Sequence, residues 1–303
     1  MMTPQGESHG QEPISGTGPA VVARFAPSPT GPLHLGHAFS AILAHDFARA
    51  RGGHFLLRIE DIDGTRSRPE HVAGILADLQ WLRLGWDGAV VLQSERLASY
   101  AGALDRLKAM DLLYPCFCTR KDIAASASAP HGPEGLVYPG TCRGLVAAER
   151  ARRMAMEPHA WRLDMAAALA RIPTALEWRD HGNVIPADPA PFGDVVLARK
   201  DAPVSYHLAV TVDDAAQGVS DVVRGADLFA ATHVHRMLQA LLGLPTPLYH
   251  HHKLIAGPDG ERLAKRHGAV ALAELRAGGA DPAAIVAALR EGRLPAGNFA
   301  AEA

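Results

Sequence analysis

Apolar residues in this chain form short runs that alternate with longer amphipathic segments. The run Pro19–Ala23 is short and rich in β-branched residues, as expected for a buried strand, and residues 54–59 form a second such run. Between them, residues 38–50 contain almost no glycine or proline and consist mainly of good helix formers. The pattern therefore predicts a strand, a turn, a helix and a second strand.

Helical periodicity marks three later segments. Residues 69–84 place five apolar side chains near one helical face: Val72, Ile75, Leu76, Leu79 and Leu82. A second amphipathic helix is predicted from Gln93 to about Met110, and two short helices are predicted after Gly268, the second around residues 281–292. The helices at residues 69–84 and 93–110 are predicted to be scaffold.

Three further apolar runs follow in the second half of the chain. The sheet is predicted to resume at residues 194–201, and residues 203–214 form another buried run that ends in acids. Residues 219–227 follow, and the three histidines at 250–252 lie on a strand, where neighbours point to opposite faces, so they predict no metal site. The fold class is therefore α/β, with a doubly wound parallel sheet of the Rossmann type.

Composition limits the classes of function. With 303 residues, about two domains are expected, and 48% hydrophobic with 20% charged residues is typical of a globular protein. A net charge of −2 gives no bulk attraction for nucleic acid, and no apolar run approaches the ~18 residues of a membrane span, so no membrane partner is expected. Residues 1–18 lack an apolar signal core and predict a disordered leader. Three cysteines suit a metal site in the reducing cytoplasm better than a disulfide framework.

The turn after the first strand carries the clearest chemistry. Three prolines and two glycines in Arg24–His37 fix the path of the loop. His34 and His37 are expected to lie where the helix begins. A helix N-terminus suits a phosphate, which would gain two imidazole donors, and Gly36 lets a flat purine approach the backbone. Taken alone, a histidine pair on a surface turn explains the spacing equally well.

The whole string of residues 24–37, R-F-A-P-S-P-T-G-P-L-H-L-G-H, resembles the ATP-binding segment of class I aminoacyl-tRNA synthetases of the glutamyl and glutaminyl branch. The resemblance implies that His34 and His37 are catalytic residues that hold the phosphates of ATP. It also places Pro27 and Gly36 in the ATP site. Mg²⁺ is expected to accompany the nucleotide.

Further segments match the same branch in order and spacing. These are R-I-E-D-I-D at 58–63, P-V-S-Y-H-L-A at 203–209 and V-V-R-G-A-D at 222–227. The match implies six glutamate-binding residues: Arg24, Ala26, Ser28, Glu60, Tyr206 and Arg224. Arg24 would bind the side-chain carboxylate of L-glutamate as a planar two-pronged donor, and Glu60 would hold the amino group.

A second ATP-binding segment is implied near the C-terminus. The run R-L-A-K-R at 262–266 resembles the K-M-S-K-S segment of the class I enzymes, with Arg262 for its first lysine and Lys265 for its second. Both residues would contact ATP, and Lys265 would be catalytic because it neutralises charge on the leaving pyrophosphate. The segment departs from the family at Ala264, where a serine would hydrogen-bond the nucleotide.

The three cysteines suggest a separate metal site. Cys116 and Cys118, with Cys142 about 24 residues later, supply three thiolates of a tetrahedral structural Zn²⁺ site. In shorter relatives a tyrosine supplies the fourth ligand, which implies Tyr138 here. His131 is the alternative as a more usual zinc ligand, and three free thiols without a metal remain a simpler alternative.

The family also implies the domain organisation. In it, a zinc-bearing insertion splits the Rossmann-type sheet and embraces the tRNA acceptor end, and three basic residues here are candidate phosphate contacts: Arg150, Arg152 and Arg153. The predicted segments are a leader (1–18), the first half of the catalytic domain (19–100), the insertion (101–190), the second half (191–250), and the second ATP-binding loop with a short helical tail (251–303).

The predicted acceptor rests on the length of that tail. About 35 residues follow Gly268, whereas an anticodon-binding domain needs on the order of 100. A catalytic body without that domain resembles the glutamyl-queuosine tRNA(Asp) synthetases, which implies transfer of ATP-activated glutamate to queuosine in the anticodon stem-loop of tRNA(Asp). The alternatives are a truncated glutamyl-tRNA synthetase that charges the 3′ end, and an inactive zinc-stabilised RNA-binding module. A cytoplasmic monomer is expected.

Overall fold

The computed structural model describes residues 20–124, 131–133, 135–255 and 270–295. Within these ranges, residues 120, 124, 131 and 132 are described by their backbone alone. The strands in these ranges are β1 (Val22–Phe25), β2 (His54–Ile59), β3 (Val91–Leu92), β4 (Leu113–Cys116), β5 (His131–Gly132), β6 (Gly135–Leu136), β7 (Ala160–Leu163), β8 (Glu177–Asp180), β9 (Asn183–Pro186), β10 (Val196–Ala198), β11 (Asp221–Gly225) and β12 (Leu248–His252). The helices are α1 (Leu35–Arg49), α2 (Pro69–Trp81), α3 (Leu97–Ala109), α4 (Arg120–Ala124), α5 (Ala147–Met156), α6 (Met165–Ala170), α7 (Tyr206–Ala216), α8 (Ala231–Leu242), α9 (Leu272–Ala277) and α10 (Pro282–Arg290).

A parallel sheet forms the centre of the fold, as predicted. In its first half β1 pairs with β2 and β2 with β3, while in its second half β11 pairs with β12, all in parallel. The halves meet where the Ser220 amide donates to the Val22 carbonyl oxygen at 3.0 Å. The order of the strands therefore reverses between β1 and β11. In open α/β sheets a ligand binds at the carboxyl ends of the strands beside such a reversal.

Helix α1 begins three residues earlier than the helix-former pattern alone predicts. The Nδ1 atom of His34 accepts from the Gly36 amide at 3.1 Å, so the imidazole caps the helix. Ala38 and Ile42 on this helix are fully buried, as is Phe55 of β2. The capping interaction and this packing hold the histidine turn against the sheet.

One prediction for the second half is wrong. The parallel sheet does not resume at residues 194–201, because β10 pairs antiparallel with β7, and β7 with β4, in a separate three-stranded sheet. The apolar run 203–214, for which the sequence predicts burial, folds mainly as helix α7. This helix is buried on most of its surface, so its sequence lacks the amphipathic pattern that distinguishes a helix from a buried strand.

The β8–β9 hairpin lies within the range predicted for the insertion but joins the catalytic sheet. Asp180 of β8 pairs in parallel with Tyr249 of β12, and the His181 amide donates to the Tyr249 carbonyl oxygen at 3.0 Å. Trp178 on the same strand is 1% exposed and packs against Tyr249. The hairpin thus extends the sheet beside the strand that carries the three histidines.

The two short helices predicted near the C-terminus are present as α9 and α10. Leu272 and Leu289 are fully buried in the core that surrounds α1. Arg290 forms a two-pronged ion pair with Asp46 of α1, with N–O distances of 2.7 and 2.9 Å. No helix in the described ranges combines the length and the apolar character that a membrane crossing requires.

Candidate functional site

A cavity of about 610 Å³ opens at the carboxyl ends of β1 and β11. Its lining includes each described residue predicted to bind ATP or glutamate: Arg24, Ala26, Pro27, Ser28, His34, Gly36, His37, Glu60, Tyr206 and Arg224. Arg262 and Lys265 lie outside the described residues. The fold therefore brings together, in one cavity, side chains from four separate sequence segments.

His34 and His37 are held by reciprocal capping bonds at the start of α1. The His34 amide donates to Nδ1 of His37 at 3.2 Å, while Nδ1 of His34 accepts from the Gly36 amide. The ring centroids are 3.8 Å apart. Because both Nδ1 atoms accept, each neutral ring carries its proton on Nε2. That N–H group, beside the positive end of the helix, suits a phosphate oxygen.

Arg24 is buried and fixed by an acid from α7. Its Nε and Nη2 atoms donate to the two carboxylate oxygens of Asp214 at 2.9 and 3.2 Å, and Nη1 of Arg58 donates to the same carboxylate at 2.8 Å. Burial would raise the pKa of Asp214, but the two guanidinium groups lower it below its usual value. One edge of the Arg24 fork is thus occupied, and the Nη1–Nη2 edge is the one that remains for a ligand carboxylate.

Behind this pair lies a second acid, Asp213. It accepts from Gln93 at 2.8 Å, Arg96 at 2.6 Å and Tyr100 at 2.7 Å. The three donors offset the cost of burying this carboxylate, so that Asp213 fixes the end of α7 against the residues around it. The sequence pattern marked both acids of α7 only as the end of an apolar run.

Glu60 sits in the same charged environment. Nη2 of Arg58 donates to its carboxylate at 3.4 Å, and its amide donates to the Pro27 carbonyl oxygen at 3.0 Å. Burial raises the pKa of Glu60, while Arg58 and Arg24 oppose that rise. The carboxylate therefore has a strong preference for an additional cationic partner, such as the ammonium group of an amino acid.

Arg224 and Tyr206 form the opposite wall. Nη1 of Arg224 donates to the Tyr206 hydroxyl at 3.3 Å, which leaves the phenol proton available for a ligand acceptor. Nη2 donates to Thr232 Oγ1 at 2.7 Å, and Nε donates to Nε2 of His251 at 3.1 Å. His251 was not predicted as a site residue; the signal in the sequence was the run of three histidines.

A second cavity of about 420 Å³ adjoins the first. Ser28, Glu60 and Tyr206 line both of them, and the second continues past Arg162 to Tyr138. The segment that carries Cys116, Cys118 and Cys142 is called the cysteine-bearing segment below. A larger molecule that binds between the parallel sheet and this segment therefore has direct access to the first cavity.

The three cysteines converge in a small buried cluster. All three Sγ atoms lie within 4.8 Å of one another, and those of Cys118 and Cys142 are 3.6 Å apart. The Tyr138 hydroxyl lies 3.4 Å from the Cys118 sulfur and accepts from the Cys142 amide at 2.8 Å. Ligands about 2.3 Å from a tetrahedral zinc are about 3.8 Å apart, so these four groups fit a zinc ion. The side chain of His131, the alternative ligand, lies outside the described part of the chain.

Zinc content tests this assignment. We expect about one zinc per chain in purified protein and its loss in Cys118→Ser, since a structural site rarely tolerates a missing thiolate. Metal analysis of Tyr138→Phe and His131→Ala distinguishes the candidates for the fourth ligand. Full zinc affinity in Tyr138→Phe with loss in His131→Ala would contradict the tyrosine assignment, and the absence of zinc from the wild-type protein would leave the cysteines as free thiols.

The candidate phosphate-binding arginines lie on α5, which has no buried residue. Arg152 forms a two-pronged ion pair with Glu149, with both distances 2.8 Å, and Arg153 pairs with Glu157 at 2.7 and 2.9 Å. Arg150 donates to the Leu145 carbonyl oxygen at 3.4 Å. Exposed ion pairs of this kind are weak, so a phosphate backbone would compete with the glutamates for the two charged forks.

Comparison with known proteins gives concordant matches. The family described as "tRNA synthetases class I (E and Q), catalytic domain" matches residues 20–297. A Rhodobacter capsulatus protein named glutamyl-Q tRNA(Asp) synthetase is 52% identical over 283 residues, which cover 88% of this chain and 98% of that protein. A Nocardia farcinica protein of the same name is 49% identical, covering 88% and 83%.

A solved structure of a glutamate tRNA ligase from Elizabethkingia meningosepticum, in complex with its amino acid, superposes with a TM-score of 0.69 at 28% identity. The match covers 82% of this chain and 52% of that one, so this chain spans about half the length of that ligase. Together with the family match, this similarity shows a class I tRNA synthetase-like α/β fold with a parallel sheet and helices.

Proposed function

Because the chain belongs to the glutamyl-Q tRNA(Asp) synthetases, a group of class I tRNA synthetase-like ligases, we propose that it activates L-glutamate with ATP and transfers it to queuosine in tRNA(Asp). One observation carries this proposal: ten residues implied in ATP and glutamate binding line a single cavity. We propose the cytoplasm as its location and a monomer as its working form.

In the first step, a carboxylate oxygen of glutamate attacks the α-phosphorus of ATP, and the bond to the leaving pyrophosphate breaks. His34 and His37 donate hydrogen bonds from Nε2 to the phosphates, at the positive end of α1. Lys265 and Arg262 neutralise the charge of the pyrophosphate, and Mg²⁺ bound to ATP supplies further positive charge. Such a displacement needs positioning and charge stabilisation more than a protein base.

Glutamate is oriented by opposite charges at its ends. We assign its ammonium group to the Glu60 carboxylate and its side-chain carboxylate to the open edge of Arg24. Tyr206 and Arg224 supply donors from the opposite wall. The tyrosine proton and one Nη1 hydrogen of Arg224 take no part in the hydrogen bonds described above and are assigned to the substrate. The ammonium group and the side-chain carboxylate of the substrate are then both paired inside the cavity.

Substrate choice follows from this arrangement. The Nη1–Nη2 edge of Arg24 pairs with both oxygens of a carboxylate, whereas the amide of glutamine presents one NH₂ group to a second donor. We therefore expect kcat/KM for ATP–pyrophosphate exchange to be at least about 10²-fold higher with glutamate than with glutamine, the cost of a mismatched buried charge. Similar values for the two amino acids would show that groups other than Arg24 determine the choice.

In the second step, a hydroxyl of the queuosine cyclopentenediol attacks the carbonyl carbon of glutamyl-adenylate, forming an ester and releasing AMP. The second cavity supports access of the acceptor to the adenylate. It shares Ser28, Glu60 and Tyr206 with the first cavity and leads outward along the cysteine-bearing segment. The anticodon stem-loop would then lie over that segment. Arg150, Arg152 and Arg153 are candidate contacts for its phosphates.

The deciding experiment measures two reactions of the purified protein. Glutamate-dependent ATP–pyrophosphate exchange without tRNA tests activation, and charging of tRNA with and without queuosine tests the acceptor. Exchange without any charging would restrict the proposal to the first step. Glutamate on the terminal adenosine of tRNA(Glu) would identify an ordinary glutamyl-tRNA synthetase activity, and absence of exchange would favour an inactive RNA-binding protein.

A further inference from the structure

We propose that His251 is a positioning residue for Arg224, accepting the Nε proton of the guanidinium so that its Nη1 faces glutamate. The proposal rests on the function proposed above. His251 itself is absent from the lining of the glutamate cavity, and so it would act through Arg224.

The contact is built into the sheet. Arg224 and His251 occupy paired register positions on the neighbouring parallel strands β11 and β12. Nε of Arg224 donates to Nε2 of His251 at 3.1 Å, and the two residues are 6% and 8% exposed. Both side chains are therefore held on the same face of the sheet and away from water.

Accepting this bond requires a particular tautomer of the imidazole. Nε2 must be unprotonated, so the ring proton lies on Nδ1, where it donates to Asp180 Oδ1 at 2.9 Å. The backbone amide of His251 donates to the same oxygen at 3.0 Å. Asp180 at the end of β8 thus fixes both the position and the tautomer of the ring.

The guanidinium is held from three sides by these bonds. Its Nε is bonded to His251, while Nη2 donates to the Leu228 carbonyl oxygen at 3.1 Å and to Thr232. Nη1 is left with Tyr206 and with one hydrogen for a ligand. Loss of the His251 acceptor would leave Nε without this bond, so the orientation of the fork would rest on the Nη bonds alone.

Charge favours the same state of the ring. Burial, followed by the positive charge of Arg224, lowers the pKa of His251 to about 4, although Asp180 opposes this. A protonated imidazole would set an N–H group against the N–H group of Arg224. The neutral ring is therefore the form that holds the arginine at neutral pH.

Two variants of this residue separate positioning from simple packing. His251→Leu keeps the bulk but removes the acceptor, while His251→Gln restores an acceptor oxygen near the place of Nε2. We expect His251→Leu to raise the KM for glutamate about tenfold or more, as for a lost hydrogen bond to a charged group, with the KM for ATP nearly unchanged. His251→Gln should recover most of the loss.

His250→Leu is the matched control. His250 lies on the same strand and also bonds an acid, with Nε2 2.8 Å from Asp221 Oδ1, but its register partner is Val223 and not Arg224. We expect its KM for glutamate to remain at the wild-type value. Equal effects of the two leucine variants, or no recovery in His251→Gln, would overturn the proposal.

A spectroscopic measurement on the wild-type protein needs no catalytic activity. In protein labelled with ¹⁵N-histidine, the signals of His251, assigned by their loss in His251→Gln, should show protonated Nδ1 and unprotonated Nε2 at pH 7. A protonated Nε2 would overturn the positioning role even if glutamate activation is confirmed. If pyrophosphate exchange is absent but the tautomer is found, the proposed function fails while the geometry of the pair stands.

Discussion

His37→Asn should lose about 10²-fold in the rate of glutamate-dependent ATP–pyrophosphate exchange, the scale of one transition-state contact. The expected loss has a specific origin. Asparagine places Oδ1 where histidine has Nδ1, so it still accepts from the His34 amide and keeps the helix cap. What it removes is Nε2, the group assigned to the phosphates. We expect the same order of loss for Lys265→Ala.

The control for this variant is His45→Asn on the same helix. His45 contacts the neighbouring Asp46 at 3.0 Å and is absent from the lining of the cavity. Its exchange rate should match that of the wild type, and the free energy of unfolding of His37→Asn should fall by no more than about 1 kcal/mol, the cost of a weakened cap. An unchanged exchange rate in His37→Asn would end the phosphate-binding role of this residue.

An isolated anticodon stem-loop that carries queuosine should accept glutamate from the protein, whereas the same RNA with guanosine should accept none. The difference is close to all-or-none, because guanosine lacks the cyclopentenediol hydroxyl that attacks the adenylate. Periodate treatment before charging, which destroys the diol, should abolish the product. The measurement is transfer of radiolabelled glutamate to gel-purified RNA.

Two controls define the result. Binding of the stem-loop should weaken steeply with salt, as phosphate neutralisation requires, and replacing Arg152 and Arg153 by Gln should reduce that salt dependence. Exchange without tRNA should be unaffected in the same variant, because neither residue lines the cavity. Equal glutamylation of the guanosine stem-loop would contradict queuosine as the acceptor.

Local signals in the sequence were sufficient for the first half of the site. The rigid turn between β1 and α1 is specified by its own prolines and glycines, and the helix is capped by His34 just before it and His37 in its first turn. The order of β1, α1 and β2 follows from apolar runs and helix formers that are adjacent in the chain. Predictions that depended only on neighbouring residues therefore correspond closely to the structure.

Long-range pairing was not available from the sequence. Arg24 was assigned two free prongs because nothing near it in the chain indicates the acid that occupies one edge of its fork. Asp214 is 190 residues away, and its helix is so buried that its apolar run does not distinguish a helix from a strand. Likewise, β10 follows an apolar pattern compatible with either sheet, and only its antiparallel register with β7 decides between them. The role of His251 depends on a register that pairs it with Arg224.

The ion pairs of Asp214 have a consequence for how the protein is made. Arg24 and Arg58 leave the ribosome long before Asp214 does; at 5–20 residues per second, the 190 residues after Arg24 take about 10 to 40 seconds. Until then, closing β1 and β2 against the core would bury two guanidinium groups without their acid, at a cost of several kcal/mol. We therefore expect the nascent N-terminal half to stay open until α7 has been made. The Arg24 side of its substrate cavity then closes when α7 arrives, and the core around α1 is completed later by Leu272 and Leu289.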